Sequence, residues 1–391
     1  MTASIPAPIA VPLPALLALT SLIADASAEP IRPKNAELQT ITPTSSYIGW
    51  PTLVRRRTGE LWVVASGGRE AHVCPFGQVI AITSSDEGRS WTWPRVLHDG
   101  PIDDRDAGVL ETARGTLIAT TFTSLAYVDL LKKAQASGAW TADKIARWNG
   151  VHQRLSDSSR NAQLGQWTLR SEDGGISWSA AERCPTNSPH GPIQLRDGRL
   201  LYPGKALWTE DKAVGVWESR DDGKSWQHLA KIPTRAGDDP TKGYHELHGV
   251  EASNGTLIVH IRNHNNPNAN ETLQTESSDG GRSWTNPHPL KVTDGSSGVW
   301  GLPSHLLRLQ DGRLLMTYGH RRAPLGNQAR ISADHGASWS QPILVSDDAT
   351  SGDLGYPSTA ELADQTLLTV WYEKIKDSPN AVLRQCRWSL P

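Results

Sequence analysis

Six times along the chain, two apolar runs flank a short polar turn: LVRRRTGELWVV, VLETARGTLIAT, IQLRDGRLLYP, VEASNGTLIVH, LLRLQDGRLLMTY and AELADQTLLTVWY. Short continuous apolar runs bounded by turn residues predict buried strands, and Asp197-Gly198, Asn254-Gly255 and Asp311-Gly312 are strong hairpin signals. The turns, at Gly59, Gly115, Gly198, Gly255, Gly312 and Gln365, are separated by 56, 83, 57, 57 and 53 residues. A second repeat, S-x-D-x-G-x-S-W, lies between the hairpins: SSDEGRSW ending at Trp91, SEDGGISW at Trp178, SRDDGKSW at Trp226, SSDGGRSW at Trp284 and SADHGASW at Trp339. In each box the Asp side chain is suited to bond amides ahead of it, the Gly accepts positive φ, and the Trp anchors the next strand in apolar packing. The boxes therefore predict turns, not catalysis.

Each unit reads as a hairpin, a third strand ending in the box, and a fourth strand after the box Trp. That is the four-stranded blade of a propeller, and six units predict an all-β, six-bladed β-propeller. The last unit has a third strand near Ala381 to Trp388 but no box, so the segment near Glu37 to Thr42 is expected to supply its fourth strand and close the ring. The excess in the 83-residue interval, about residues 124–164, contains AYVDLLKKAQ and TADKIARWNGVHQRL. Their helical spacing predicts a short helical insertion in blade 2, not a further domain.

Composition narrows the function classes. With 39 Lys plus Arg against 41 Asp plus Glu, the formal charge of -2 lacks the basic excess of nucleic-acid binders. The three cysteines, Cys74, Cys184 and Cys386, form no CxxC pair and imply neither a disulfide framework nor a cysteine zinc site. Residues 1–28 carry no Lys or Arg, an apolar stretch from Ile9 to Ile23, and Ala26-Ser27-Ala28 before Glu29, which reads as a signal peptide. The expectation is a periplasmic or secreted propeller over residues 29–391, with a cytoplasmic location as the alternative. No other stretch approaches the ~20 apolar residues of a membrane span.

Strand direction alternates within a blade, so the hairpin turns and boxes share one face of the disc, and the starts of the innermost strands and ends of the second strands share the other. The second face gathers Trp50, Asp104, Asp106, His190, Glu246, His248, His305 and Tyr356 from the strand starts, and Arg69, His72, Lys205, Arg262, His264, Arg321, Arg322 and Glu373 from the strand ends. Ion-pair networks account for part of such crowding, and a site for the rest. The histidines include no H-E-x-x-H pair, and His245 and His248 on one strand would face opposite sides, so neither metal nor cofactor is expected.

On these repeats the chain resembles the sialidase (neuraminidase) superfamily, six-bladed propellers with boxes of this form, over about residues 38–390. The resemblance implies an exo-acting glycoside hydrolase that releases a terminal, acidic, sialic-acid-like sugar with retention, so a carbohydrate is the expected partner. His245-Glu246, Glu251, Asn254-Gly255 and Arg262 keep the spacing of the superfamily's N-E-x-x-x-x-E-L-x-D-G-x-L run. Glu246 is thereby implied as the base and Arg262 as a carboxylate-binding arginine. Arg322, with Arg321 beside it, is similar to a further such arginine, Tyr356 in GYPSTAEL to the nucleophile, and Glu373 in VWYE to the closing glutamate. Arg69, His190, His248, His305 and Trp50 join them as rim candidates for substrate binding. Two departures stand out: Tyr47-Ile48-Gly49-Trp50-Pro51 replaces the superfamily's R-I-P motif, and GGREAHVCPFG offers no aspartate before the first box. That leaves His72, Asp104 and Asp106 as proton-donor candidates.

The chemistry is coherent. A phenol of ordinary pKa ~10 needs a neighbouring carboxylate to take its proton, and a neutral nucleophile avoids repulsion from an anionic sugar held by guanidinium forks. Two other readings use the same residues: a propeller lyase in which a Tyr and a His move protons beside a uronate held by Arg262 and Arg322, and a non-catalytic glycan-binding propeller.

Overall fold

The computed structural model describes residues 31–391; the expected signal peptide, residues 1–28, lies outside them. Six four-stranded antiparallel sheets are arranged as the blades of a propeller. From the axis outward, blade 1 consists of Tyr47–Arg55, Leu61–Arg69, Gln78–Ser84 and Arg95–His98, and blade 2 of Asp103–Glu111, Leu117–Ser124, Gln166–Ser171 and Glu182–Arg183. Blade 3 is built from Ile193–Gln194, Leu200–Lys205, Val214–Ser219 and Gln227–Lys231, and blade 4 from Tyr244–Glu251, Leu257–Asn263, Thr272–Ser277 and His288–Pro289. Blade 5 holds Leu302–Arg308, Leu314–His320, Gly326–Ser332 and Ile343–Ser346. Blade 6 starts with Leu354–Glu361, Leu367–Lys374 and Ala381–Ser389, and its outermost strand is Lys34–Thr40, paired antiparallel with Leu38 opposite Cys386. The two ends of the chain thus share one sheet, which closes the ring.

The second strands read as apolar runs because neighbouring blades cover both their faces. Leu61, Trp62, Val63, Val64 and Ala65 are all buried, and Leu367 to Tyr372 likewise. One core joins blades 6 and 1 through Tyr47, Trp50, Leu53, Tyr356, Val370 and Tyr372. The boxes lock each turn from within. In the first, the Ser84 hydroxyl donates to Asp86 Oδ1 at 2.7 Å and accepts from the Gly88 amide at 2.9 Å, while Asp86 accepts from the Ser90 amide and hydroxyl at 2.9 and 2.6 Å. The same bonds recur around Asp173, Asp221, Asp279 and Asp334. The box also demands left-handed backbone twice in succession, as at Glu87 and Gly88 (φ 59° and 84°) and at Asp222 and Gly223 (66° and 80°).

A further device ties blade to blade on the turn face. Glu111 accepts from the Arg57 amide at 2.7 Å, Gln194 from Ala113 at 2.6 Å, Glu251 from Arg196 at 2.7 Å and Glu361 from Gln310 at 2.6 Å. In each case a side chain at or near the end of one innermost strand satisfies the hairpin turn of the preceding blade, an amide that sheet pairing leaves free.

The long interval contains three helices, Tyr127–Ser137, Ala142–His152 and Asp157–Ala162, between the second and third strands of blade 2. Thr141 and Ser156 cap the latter two through the Lys144 and Ser159 amides. Tyr127, Leu131 and Trp148 bury a side of this insertion on Cys74, Val73 and Phe76 of blade 1, and Glu70 accepts from the Trp148 indole at 3.0 Å. The insertion therefore stands on the face that carries the innermost-strand starts. No helix among the described residues is long and apolar enough to cross a membrane.

Candidate functional site

The innermost strands are irregular where they begin. Between blade 1's first two strands the register passes from Gly49 opposite Ser66 to Thr52 opposite Val64, an extra residue on the inner strand. The same insertion occurs between Arg105 and Gly108, between His245 and His248, and between Gly355 and Ser358. Each bulge contains one non-glycine residue in left-handed conformation: Trp50 (φ 55°), Asp106 (42°), Glu246 (49°) and Tyr356 (55°). A bulge turns a side chain out of the strand's alternation, and such backbone costs of order 1–3 kcal/mol per residue. Four blades thus pay strain to re-aim equivalent side chains.

Three of the four meet in chemistry. The Tyr356 hydroxyl donates to Glu246 Oε1 at 2.5 Å, and Arg262 Nη1 donates to Glu246 Oε2 at 2.6 Å and to the Tyr356 oxygen at 3.3 Å. The side chains of Arg262 and Glu246 are 13% and 18% exposed, so the pair is partly desolvated. Burial works against the Glu246 carboxylate, but the Arg262 charge and the hydrogen bonds from Arg262 and Tyr356 outweigh it and hold the acid below its usual range. Burial, followed by the Glu246 charge, pushes the Tyr356 phenol well above its usual value, so the proton rests on the phenol. Burial, with the Glu246 charge adding and Arg105 opposing, raises Asp106 to about 7. The Asp106 carboxyl makes no hydrogen bond among the described residues.

Around Trp50 lies an aromatic group that the sequence did not reveal. Its ring meets His72 edge-on at 4.9 Å and neighbours Tyr47 at 5.9 Å, Tyr372 at 5.7 Å and Tyr356 at 6.5 Å. Asp353 Oδ1 accepts from the Tyr47 and Tyr372 hydroxyls at 2.9 and 3.2 Å and lies 2.9 Å from His72 Nδ1. A Cβ on Gly49 would stand 3.2 Å from the Tyr47 ring and 3.5 Å from Tyr372, so a long side chain has no room there. Lys205 and His264 also reach this face. Burial brings the Lys205 ammonium down to about 8, while it donates to the carbonyls of Pro240, Thr241 and Tyr244, and burial with the Arg262 charge brings His264 to about 4.

Other candidates are placed elsewhere. The Arg69 guanidinium is wholly buried and donates to Asp103 at 2.6 and 3.1 Å, to Ser66, and to the carbonyls of Asp104, Ala71 and His72, leaving no nitrogen free for a substrate. Asp104 is fully buried, facing away, and accepts from the Gly100 amide at 2.6 Å. Of the three proton-donor candidates, Asp106 alone stands beside Glu246; His72 is tied to Asp353. Glu373 is fully buried in blade 6, ion-paired with Arg384. Arg321 donates to the Leu354 carbonyl at 3.1 and 2.8 Å, and its charge acts on the Tyr372 phenol, whereas Arg322 is exposed and stacks on Trp300 at 4.8 Å. Arg321 is the one beside the site.

His190, His248 and His305 form a buried cluster on the axis, with ring centroids 4.7 to 5.3 Å apart, below the layer of Tyr356 and Glu246. Burial holds all three neutral, His305 at about 3. They floor a cavity of about 370 Å³, which runs toward the turn face past Arg55, Gln194, Arg308 and Glu361. A smaller one of about 100 Å³ touches the reactive layer, lined by Asp106, Phe122, Lys205, Leu207, His245 and Glu246. Of these two cavities the smaller is the candidate site, because it borders groups whose protonation is set against one another. Among the described residues no cluster of three or more His, Cys, Asp or Glu is arranged to hold a metal ion.

A sequence model of the BNR repeat-like domain matches residues 149–369. The chain belongs to the BNR repeat-like domain family. No curated protein matches the sequence significantly. Among solved structures, a protein of unknown function from Dyadobacter fermentans superposes with a TM-score of 0.71 at 21% identity, over 92% of this chain and 99% of that one. The intramolecular trans-sialidase of Ruminococcus gnavus gives 0.59 at 15% identity, over 88% and 94%, and the α-L-arabinanase of Penicillium chrysogenum 0.60 at 12%, over 90% and 98%. At these identities the likeness is one of fold, and with the family match it bears out a six-bladed propeller of BNR repeats.

Proposed function

We propose that this BNR propeller is a retaining glycoside hydrolase acting on a terminal sugar, with Tyr356 as nucleophile, Glu246 as its base and Asp106 as acid and then base. The observation that carries the reading is the 2.5 Å hydrogen bond from the Tyr356 hydroxyl to Glu246, from residues 110 positions apart in the chain. As the phenol oxygen attacks the anomeric carbon, its proton passes to Glu246, while Asp106, protonated up to about pH 7, gives its proton to the departing oxygen. Asp106 then draws a proton from water, which displaces Tyr356; the second inversion restores the configuration, and the phenol recovers its proton from Glu246. The Arg262 guanidinium holds Glu246 in place and stands over the same oxygen. Two neighbours of this fold, a trans-sialidase and an arabinanase, act on glycans by name, which supports a carbohydrate substrate.

The test is a screen of aryl glycosides and acidic oligosaccharides with wild type and Tyr356→Phe, following reducing ends and double-bond absorbance together. Wild-type release of reducing sugar that Tyr356→Phe abolishes is the expected result. Equal turnover by Tyr356→Phe would remove the nucleophile, and double-bond absorbance would replace hydrolysis by elimination.

A further inference from the structure

The axial cavity floored by His190, His248 and His305 holds chemistry that the reactive layer does not use. It shares no lining residue with the cavity beside Glu246, and it runs toward the opposite face, that of the hairpin turns. The bonds around the three rings fix their tautomers. His248 Nδ1 accepts from the Leu306 amide at 2.9 Å and His305 Nδ1 from the Thr359 amide at 3.4 Å, so each neutral ring carries its proton on Nε2. His190 is reversed. The Thr52 hydroxyl donates to the Pro189 carbonyl at 3.1 Å and so receives the His190 Nδ1 proton at 3.3 Å, which leaves His190 Nε2 with a lone pair. That nitrogen is buried without a partner. Burial keeps all three rings neutral. With centroids 4.7 to 5.3 Å apart, the floor thus offers two N–H donors and one acceptor, the complement of a hydroxyl group with its two lone pairs and one proton.

Toward its mouth the cavity passes two guanidiniums, Arg55 and Arg308, against one carboxylate, Glu361. The carboxylate is engaged by the Gln310 amide at 2.6 Å. The Arg55 guanidinium makes no hydrogen bond or ion pair among the described residues, and its Nε is buried without a partner; Arg308 donates only to the Glu251 carbonyl, at 3.4 Å. Unmatched N–H donors on a partly desolvated cation are suited to an oxyanion. Between floor and mouth the walls are aliphatic, with Leu53, Val109, Leu110 and Leu306 among them. Thr52 and Arg55 are three residues apart on one strand, as are His305 and Arg308 on another, which sets about 10 Å between the two polar ends.

We propose that this cavity is a second ligand site, open to the turn face, for a small carboxylate with an apolar body and a terminal hydroxyl. The carboxylate meets Arg55 and Arg308, the body lies along the aliphatic walls, and the hydroxyl seats on the three imidazoles. A volume of about 370 Å³ accommodates one ring or a short chain. The inference stands apart from the hydrolase reading, since it uses none of the residues assigned to hydrolysis.

Titration calorimetry on the full chain tests it with 3-(4-hydroxyphenyl)propanoate and 8-hydroxyoctanoate, each beside its methyl ester and its analogue without the hydroxyl, 3-phenylpropanoate or octanoate. At least one hydroxy acid is expected to bind with a dissociation constant below about 1 mM. Loss of either the charge or the hydroxyl is expected to weaken it about tenfold. Arg55→Gln and Arg308→Gln should each reduce the preference for acid over ester, and together abolish it. His190→Phe, which keeps a ring on the floor, should abolish the preference for hydroxyl over hydrogen; if it fails to fold, as near-ultraviolet dichroism would show, the analogues on wild type still read the floor. Tyr356→Phe is expected to bind as wild type does. Absence of binding by both hydroxy acids, an ester or a hydroxyl-free analogue that binds as well as its parent, an acid preference that survives both arginine substitutions, or binding lost in Tyr356→Phe would overturn the assignment.

Discussion

The contact between Tyr356 and Glu246 can be weighed without a substrate by a double-mutant cycle on stability. Glu246→Gln keeps the shape and an accepting oxygen but removes the charge, leaving Arg262, 13% exposed, without its carboxylate. Breaking a buried pair by removing one partner costs about 3–5 kcal/mol, and the cavity beside Glu246 places this case toward the lower end. Tyr356→Phe removes a hydrogen bond to a charged acceptor, about 1.5–3 kcal/mol. Because the phenol donates to the carboxylate at 2.5 Å, the two losses overlap, and the double variant is expected to fall short of their sum by about 1–2 kcal/mol. The assay is equilibrium unfolding in urea, with fluorescence and far-ultraviolet dichroism followed together so that coincident transitions license the free energies. Additivity within about 0.5 kcal/mol would mean that the two groups do not touch, and the reasoning from their geometry would fall.

Three other outcomes follow from the same physics. Asp106 is held near 7 by burial, so hydrolysis is expected to fall about tenfold per pH unit above that value, and Asp106→Asn to abolish the limb along with most of the rate; a basic limb that survives in Asp106→Asn excludes this residue as its source. The same raised pKa has a stability sign: between about 4 and 7 the unfolded chain gives up a proton that the folded chain keeps, so wild type is expected to lose stability relative to Asp106→Asn as pH rises through that window and no further above it, a trend readable from urea midpoints. In the fourth box, Ser277→Ala strands the buried Gly281 amide and deprives Asp279 of a donor, which should lower stability by about 1–3 kcal/mol and leave carbohydrate binding unchanged; a neutral effect on the urea midpoint would show that the box is held by other contacts.

The fold was legible because its signals are local and repeated. A hairpin turn such as Asn254-Gly255 and a box such as SSDGGRSW each specify their own geometry over a few residues, and repetition at nearly constant spacing makes the ring. The missing fourth strand of blade 6 was legible too, from the absence of a box after Trp388, and Lys34–Thr40 takes that place. The site was only half legible. Tyr356, Glu246 and Arg262 stood out through motif spacing, but whether a rim residue faces the cavity depends on contacts that no local pattern encodes. Arg69 was on the right rim, yet Asp103 from the next blade, with Ser66 and three carbonyls, engages it. His190, His248 and His305 share a strand layer with the candidates but sit one step down the axis, where their rings pack on one another. Arg105 and Asp353 carried no motif; a closer reading of DDRDAG, with a cation among three acids at an innermost-strand start, could have raised Arg105.

What decides between rim and site is the bulge. Without it, Asp106, Glu246 and Tyr356 would follow the ordinary alternation of their strands and could not all turn toward one point; with it, each takes a positive φ that costs of order 1–3 kcal/mol and is held by the packed blade on either side. Trp50 shares that conformation but not the polarity of the others, and it is fully buried. A bulge preserved around a residue that reaches no solvent makes sense if its task is to support something that does. Two guanidiniums stand against its ring: Arg69, wholly buried, has every donor matched, and Arg105, 11% exposed, donates no hydrogen bond among the described residues. Blade 1 therefore acts on the site through an aromatic surface set between blade 2's Arg105 and Tyr356, so Trp50→Ala is expected to lower hydrolysis while leaving the Tyr356 to Glu246 coupling in the double-mutant cycle intact; an unchanged rate would show that the ring supports nothing at the site.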